Sequence, residues 1–259
     1  MPAAYHPLVR AVARALRRRC GVPAGARLLV ATSGGADSIA LLRALHLLAD
    51  RRRWELRQIV GHVQHHLRDD AEEDAQFVES LARRLDLPFE RADIDPRVAG
   101  DNAGGAARRA RYDALGEMAA AIDASFVATA HQGDDQLETM LMRLMRGTGV
   151  RGMAGARHRR PLRRGSHTAL HRPMPGPTQA AAVAFCRALG QSWREDRTNT
   201  DVTRTRARLR AEVLPVLRDM HGDVADKAVR LADHLHACAA LIDEQVHRAA
   251  DHVLREGDD

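Results

Sequence analysis

Lysine is almost absent from this 259-residue chain, in which Lys227 is the one lysine among 40 basic residues. A Walker A phosphate loop needs a lysine directly after its glycines, and a pyridoxal enzyme needs one for its Schiff base. With Lys227 alone, neither class fits the chain. The positive charge is therefore carried by arginine, and the net charge is +6.

Cysteines and long apolar runs are also scarce. Cys20, Cys186 and Cys238 lie far apart and form no C-x-x-C pair, which argues against a disulfide framework or a zinc ribbon and favours a reducing compartment. Arg10 and Arg14 interrupt the apolar residues near the N-terminus, so a signal peptide is not predicted. Because no run approaches the length of a membrane span, we expect a soluble, cytoplasmic protein without a membrane partner.

Aromatic residues make up 3% of the chain, so few rings can stack on nucleobases. Hydrophobic residues make up 45% and charged residues 29%, which is sufficient for a buried core. The arginine excess has two interpretations that composition does not separate. One is a coding bias that replaces lysine throughout, and the other is a partner that carries phosphates.

Short apolar runs alternate with helical patterns in the first half of the chain, after an amphipathic basic helix that ends near Gly21. The pattern predicts strands over residues 27–32, 54–63, 88–94 and 125–130, and helices over 39–48, 72–85 and 106–122. Strands that alternate with helices of this length are typical of an α/β fold, an open parallel sheet with helices on both faces.

The character of the chain changes after about residue 146. Glycine, proline and arginine dominate to residue 177, so we expect irregular backbone with short strands at most. A helix is predicted over 177–189, and a long helical pattern runs from Val224 to about Leu254. We therefore predict an α/β domain over residues 1–200 and a helical appendage over 201–259.

One turn, Ser33-Gly34-Gly35-Ala36-Asp37-Ser38, lies between the first predicted strand and the helix after it. Its glycines permit a tight turn and close approach to an anion, while amides at a helix N-terminus carry partial positive charge. Such a loop can hold pyrophosphate without a lysine. The hydroxyls of Ser33 and Ser38 could donate to phosphate oxygens, and Asp37 could hold Mg²⁺ or cap the helix. We predict that these six residues bind phosphate.

The same six residues resemble the PP-loop of the ATP-pyrophosphatase superfamily, and the resemblance implies that they bind ATP. Further segments resemble, in the same order, the motifs of one of its families, the tRNA(Ile)-lysidine synthetases. They are His62-Val-Gln-His65-His-Leu-Arg68, Arg108-Arg-Ala-Arg111-Tyr112, and residues 128–139, 144–149, 193–196, 199–201 and 206–215. The resemblance covers about residues 27–220 and implies the fold of the adenine nucleotide alpha hydrolases.

The resemblance also implies a reaction at the wobble cytidine of an isoleucine tRNA with a CAU anticodon. ATP adenylates O2 of the base and releases pyrophosphate, and the side-chain amine of free L-lysine then displaces AMP at C2. ATP and Mg²⁺ are therefore the expected substrate and cofactor. By the same resemblance Asp37, Asp135, Glu138 and Arg111 are expected to act in catalysis, with Arg111 on phosphate, and His62 is expected to shape the ATP pocket. A solvated basic face is the alternative for Arg111.

Free lysine carries two amines and needs an acidic pocket. His131, Asp135 and Glu138 are spaced i, i+4 and i+7, and Asp134 lies four residues before Glu138, which brings carboxylates together if the segment is helical. The segment follows the fourth strand, where open α/β sheets bind ligands. On spacing alone, a helix cap is favoured for Asp134 and a packed core position for His131. The resemblance adds lysine binding for all four residues, evenly balanced against a cap for Asp134.

Arg206, Arg208 and Arg210 are the predicted tRNA-binding residues, with a solvated surface as the alternative. On a helix, Arg206 and Arg210 would share one face. The expected partners are the isoleucine tRNA and free L-lysine, and a homodimer is compatible with the sequence. Many family members carry further C-terminal domains after the long helix, and we expect these to be absent here.

Several residues depart from the family pattern: Gln64, His66, Gln132, Gly133 and Ala207. These departures leave the roles of the two histidine segments open. A zinc site at His62 and His65 is disfavoured, because their spacing suits ligands only on a helix. Two other functions find less support in the sequence. A tRNA base thiolase lacks support because no cysteine pair is present, and a non-catalytic nucleotide-binding module leaves Asp135 and Glu138 without a role.

Overall fold

The computed structural model describes residues 5–49, 54–66, 71–94, 103–163, 165–174, 176, 178–195 and 205–256. The chain divides into two compact units. Unit 1 comprises Met1–Gln132 and His158–Thr198, and unit 2 comprises Gly133–Arg157 and Asn199–Asp259. The predicted boundary after residue 200 differs from this division, because the helix that begins at Gly133 packs against the C-terminal helices.

Unit 1 contains a six-stranded sheet in the order β3-β2-β1-β4-β6-β5. The strands are β1 Arg27–Ala31, β2 Arg57–Gln64, β3 Phe89–Asp93, β4 Phe126–Ala128, β5 Arg159–Pro161 and β6 Ala169–His171. Every neighbouring pair is parallel except β5 and β6, which are antiparallel. The predicted α/β class and the four predicted strands are confirmed, and β5 and β6 lie in the region where irregular backbone with short strands at most was expected.

The helices of unit 1 cover both faces of the sheet, as predicted. They are α1 Pro7–Ala15, which continues as a π-helical turn over Leu16–Cys20, α2 Ala36–Ala49, α3 Ala71–Arg84, α4 Ala103–Ala121 and α7 Gln179–Ala188. Alternate residues of β1 enter different cores: Leu28 and Val30 pack with α1, α2, α3 and α7, whereas Leu29 packs with α4. The continuous apolar run of β1 therefore follows from burial of both its faces.

Gly61 in β2 allows close packing at the centre of the sheet. A Cβ atom at this position would lie 2.8 Å from Cδ1 of Leu29, closer than two carbon atoms can approach without a shift. Leu29 is fully buried against α4. The glycine therefore gives the Leu29 side chain the space that it occupies in the core.

Unit 2 is helical. Its helices are α5 Gly133–Arg146, α6 Val150–Met153, α8 Thr205–Arg208, which continues as a π-helical turn over Leu209–Val213, α9 Leu214–Met220 and α10 Val224–Glu256. Leu137 and Met140 of α5 pack against Leu214, Ala228 and Ala232. The long helix predicted from residue 224 is confirmed. In the described ranges, none of the helices combines the length and the apolar character that crossing a bilayer requires.

The stability of unit 1 is expected to depend on pH through His171. This residue of β6 is fully buried, and burial, followed by the charge of Arg159, lowers its pKa to about 4. In the unfolded chain the histidine binds its proton near pH 6.5. The contribution of the neutral His171 to the free energy of unfolding is therefore fully present above that pH and is lost as the pH falls towards 4. The loss attributable to His171 is about 3 kcal/mol.

Urea unfolding at pH 7 and pH 4 measures this effect in the native chain and in His171→Gln, which cannot take up the proton. The variant is expected to lose less stability between the two pH values, whatever its stability at pH 7. Equal losses in both proteins would contradict the assignment.

Candidate functional site

The predicted ATP loop connects β1 to α2 and is ordered by its own serines. The Ser38 hydroxyl accepts a hydrogen bond from the Ser33 amide at 3.2 Å and donates one to the Gly35 carbonyl at 2.9 Å. Gly34 has a φ of 93°, in the left-handed region that favours glycine. The first amides of α2 have no carbonyl within the helix to bond, so the loop presents N–H groups and hydroxyls suited to an anion.

Arg194 supports this loop from the segment that follows α7. Its backbone amide donates to the carbonyl of Gly34 at 2.9 Å, while its guanidinium donates to Asp74 at 2.9 Å and to Glu73 at 2.7 Å. These contacts link the loop to the start of α3. Arg194 lies in the 193–196 segment that resembles a family motif, but no role for this residue was predicted from the sequence.

His62 lies directly behind the loop, on β2. It is buried, and its Nδ1 lies 2.9 Å from the carbonyl oxygen of Thr32. A carbonyl can only accept, so Nδ1 carries the proton of the neutral ring. Burial lowers the pKa of His62, although the bond to Thr32 opposes this effect, so the ring is neutral at pH 7. His62 therefore contacts the residue just before the loop, and its role in binding ATP stays a prediction.

Asp37, in the first turn of α2, is half-buried and has a partner that sequence reasoning did not foresee. The amide of Gln132 donates to Oδ2 of Asp37 at 2.8 Å. Gln132 is itself buried and occupies one of the positions that depart from the family motif. A neutral amide therefore fixes the orientation of the carboxylate without neutralising its charge.

Arg111 lies half-buried on α4, with its guanidinium carbon 6.0 Å from the centre of the Tyr112 ring. Burial lowers the pKa of Arg111. Burial, together with the charge of Arg111, also lowers the pKa of His65 to about 4. Arg108, one turn earlier, is exposed and donates to the Tyr112 hydroxyl at 3.1 Å. Because Arg111 is half-buried, it does not belong to a solvated basic face, which was the alternative interpretation.

Unit 2 pairs the carboxylates predicted for lysine with the arginines predicted for tRNA. Glu138 is fully buried, and its two oxygens accept hydrogen bonds from Arg206 at 2.6 Å and Arg210 at 2.7 Å. Asp135 lies 2.9 Å from Arg206 and 3.5 Å from Arg210. We call these four residues the ion-pair quartet. Their formal charges cancel, so the expected acidic pocket is locally a site of both signs.

The other predicted residues lie around the quartet or apart from it. Asp134 is buried at the start of α5 and forms an ion pair with Arg218 at 2.8 Å. Arg208 is mostly exposed and pairs with Glu212, four residues later, at 3.0 Å. His131 belongs to unit 1, where its Nδ1 lies 2.9 Å from the Thr129 hydroxyl. Arg218 was not predicted.

In the portions of the chain that the structure covers, no three His, Cys, Asp or Glu side chains are grouped so as to hold a metal ion.

Comparison with known proteins identifies the family. A family model described as the PP-loop domain matches residues 8–217. A tRNA(Ile)-lysidine synthase of Symbiobacterium thermophilum is 39% identical over 248 residues, which cover 94% of this chain and 50% of that protein. One of Salinispora arenicola is 40% identical over 256 residues, covering 97% of this chain and 75% of that protein. The chain belongs to the tRNA(Ile)-lysidine synthase family.

Membership of the tRNA(Ile)-lysidine synthase family confirms the resemblance seen in the ordered motifs. The chain spans about half the length of the Symbiobacterium synthase that it matches. Among solved structures, the U34-tRNA thiolase NcsA from Methanococcus maripaludis, with its [4Fe-4S] cluster, superposes with a TM-score of 0.71 at 14% identity, covering 88% of this chain and 77% of that chain. At 14% identity this similarity shows that the two proteins share a fold, and it shows nothing more about this lysidine synthase family member.

Proposed function

We propose that this protein ligates L-lysine to C2 of the wobble cytidine of an isoleucine tRNA with a CAU anticodon, after ATP has adenylated the base. The observation that carries the proposal is a PP-loop in a member of the tRNA(Ile)-lysidine synthase family. The proposed substrates follow from membership of the family. The proposed roles of individual residues follow from the geometry of the site.

ATP would bind with its phosphates on the amides and hydroxyls between Ser33 and Ser38. Charge that develops on the departing pyrophosphate needs stabilising groups that are already in place, and Arg111 supplies one cation. Mg²⁺ is usually held by one or two carboxylates together with substrate phosphates, and the single carboxylate of Asp37 fits that pattern. When bound there, Mg²⁺ would neutralise part of the phosphate charge. His62, neutral and fixed by Thr32, would shape the pocket beside the loop.

Lysine would bind to the ion-pair quartet. Free lysine is a zwitterion with an additional ammonium group, so it presents charges of both signs. Asp135 and Glu138 can accept hydrogen bonds from an ammonium group, while Arg206 and Arg210 can donate to a carboxylate. The attacking amine must lose a proton before it is nucleophilic, and Asp135 is the more exposed of the two carboxylates that could accept it.

The tRNA contacts remain a separate proposal. Because Arg206 and Arg210 already pair with carboxylates, the exposed guanidinium of Arg208 is the best placed of the three to reach an RNA phosphate. We also propose that His131 and Asp134 bind lysine, and the family motif over residues 128–139 is the only support for this proposal.

The proposed function is tested with radiolabelled lysine, ATP, Mg²⁺ and an isoleucine tRNA transcript with a CAU anticodon. We expect label in the RNA and release of pyrophosphate. The matched control is the same transcript with uridine at the wobble position, which should accept no label. If the intact CAU transcript accepts no lysine under conditions in which ATP binds, the proposed reaction is wrong for this protein.

A further inference from the structure

Tyr112 of α4 lies at the centre of a group of arginines in unit 1. The guanidinium carbons of Arg108 and Arg160 lie 5.2 Å and 5.0 Å from the centre of its ring, and that of Arg111 lies 6.0 Å away. The buried side chain of Arg172 hydrogen-bonds to Tyr112. We call these five residues the Tyr112 arginine cluster.

The cluster lies at the edge of the sheet where parallel strands end. Arg172 directly follows the last residue of β6. Arg108 lies in the first half of α4, the helix that connects the end of β3 to the start of β4, and this half is nearer the carboxyl ends of the strands. Ligands of open α/β sheets bind at this edge. The cluster therefore occupies a ligand-binding position of the fold.

The cluster concentrates positive charge. In the described part of the chain, no carboxylate lies within ion-pair distance of Arg108, Arg111 or Arg160. Burial lowers the pKa of Arg172, and the charges of Arg160 and Arg108 lower it further, although Tyr112 opposes this effect. Burial would raise the pKa of Tyr112, but the surrounding guanidinium charges lower it overall. An anion placed beside Arg108, Arg111 and Arg160 would interact favourably with their positive charges.

The guanidinium groups are also held in place. Nη1 of Arg160 donates to the carbonyls of Pro161 at 2.7 Å and Leu162 at 2.8 Å, and Arg108 donates to the Tyr112 hydroxyl. A guanidinium that stacks on a ring and is fixed by one edge keeps its other N–H groups available for a phosphate. Elsewhere in unit 1, Arg91 and Arg194 are fixed in a different way, by carboxylates.

We infer that Arg108, Arg160 and Arg172, arranged around Tyr112, form a phosphate-binding subsite in addition to the PP-loop. The ligand group is a phosphate oxyanion, supplied by a phosphodiester of the RNA substrate or by the phosphates of ATP. The inference rests on the proposed function for the identity of these two sources. Arg111 retains its separately proposed role in catalysis.

The test uses Arg108→Ala and Arg160→Ala, with Arg109→Ala as the matched control. Arg109 is an exposed arginine of the same helix and lies outside the cluster. Binding of the fluorescently labelled CAU tRNA transcript is titrated without ATP at several salt concentrations, and binding of ATP is titrated without RNA. Thermal unfolding checks that each variant is folded, which is expected because Arg108 is exposed and Arg160 is half-buried.

If the source is RNA, each cluster variant binds the transcript about tenfold more weakly, and the salt slope falls by about 0.7 to 0.9 for each lost contact. If the source is ATP, the cluster variants weaken ATP binding and leave RNA binding unchanged. Both results support the subsite. Binding of both ligands equal to that of Arg109→Ala would overturn it. Because neither titration requires lysine transfer, failure of the proposed reaction remains distinguishable from failure of this inference.

Discussion

Glu138→Gln is expected to abolish detectable lysine transfer and to destabilise unit 2. Glutamine keeps the size of the side chain but removes the charge that Arg206 and Arg210 share, and it cannot accept both guanidinium groups at one buried position. Breaking a buried ion pair typically costs 3–5 kcal/mol, and the partial exposure of both arginines reduces our expectation to about 2–3 kcal/mol. Urea unfolding measures this cost, and the lysine incorporation assay measures the activity.

Glu212→Gln is the matched control for Glu138→Gln. It removes a carboxylate from an arginine pair of the same unit, but the pair with Arg208 is exposed, so its loss should cost less than about 0.5 kcal/mol. Lysine transfer should persist in this variant. If Glu138→Gln unfolds at the same urea concentration as the native chain and still transfers lysine, the ion-pair quartet has neither role.

Asp37→Asn is expected to slow adenylation of the tRNA by about 100-fold or more, the usual effect of removing one group that stabilises transition-state charge. The substitution preserves the shape of the side chain and removes the negative charge proposed to hold Mg²⁺. ATP should still bind through the loop amides, so the loss should appear in the rate of tRNA-dependent pyrophosphate release at saturating ATP. Single-turnover measurements of that release separate it from the later attack by lysine.

Two further variants make the result for Asp37 specific. Asp86→Asn, at an exposed turn with a φ of 52° that asparagine also adopts, removes a charge without contacting the loop and should leave the rate unchanged. Gln132→Leu removes the amide that orients Asp37 and should reduce the rate about 10-fold, as expected for a residue that positions a metal ligand. A native rate in Asp37→Asn would exclude the residue from adenylation.

The sequence was sufficient to predict the architecture of unit 1, because the apolar runs and helical periods are local signals. The run over residues 27–32 and the glycines after it indicated both the buried strand and the phosphate loop. The first unit nevertheless includes strands β5 and β6, which are three residues each and too short for any period to locate. β6 is positioned by pairing with β4, from which helices α5 and α6 separate it along the chain, and β5 is positioned by pairing with β6.

The contacts of the site residues could not be predicted, because they join distant parts of the sequence. Glu138 and Arg206 are 68 positions apart, and Asp37 and Gln132 are 95 apart. Spacing correctly placed Arg206 and Arg210 on one face of a helix, but it gave no means of knowing that this face meets the carboxylates of α5. Residues assigned to two different ligands on sequence grounds therefore form one network.

The two outer strands of the sheet are poorly suited to pairing with a strand from another molecule. β3 presents Glu90, Arg91 and Asp93 along a five-residue edge, and β5 is a three-residue strand that runs against its neighbour and ends in Pro161. Charged side chains, short length and a proline without an amide proton all hinder the addition of a strand from another molecule. Both edges of the sheet are thus poor templates for intermolecular strand pairing, which should help to keep the protein from aggregating at high concentration.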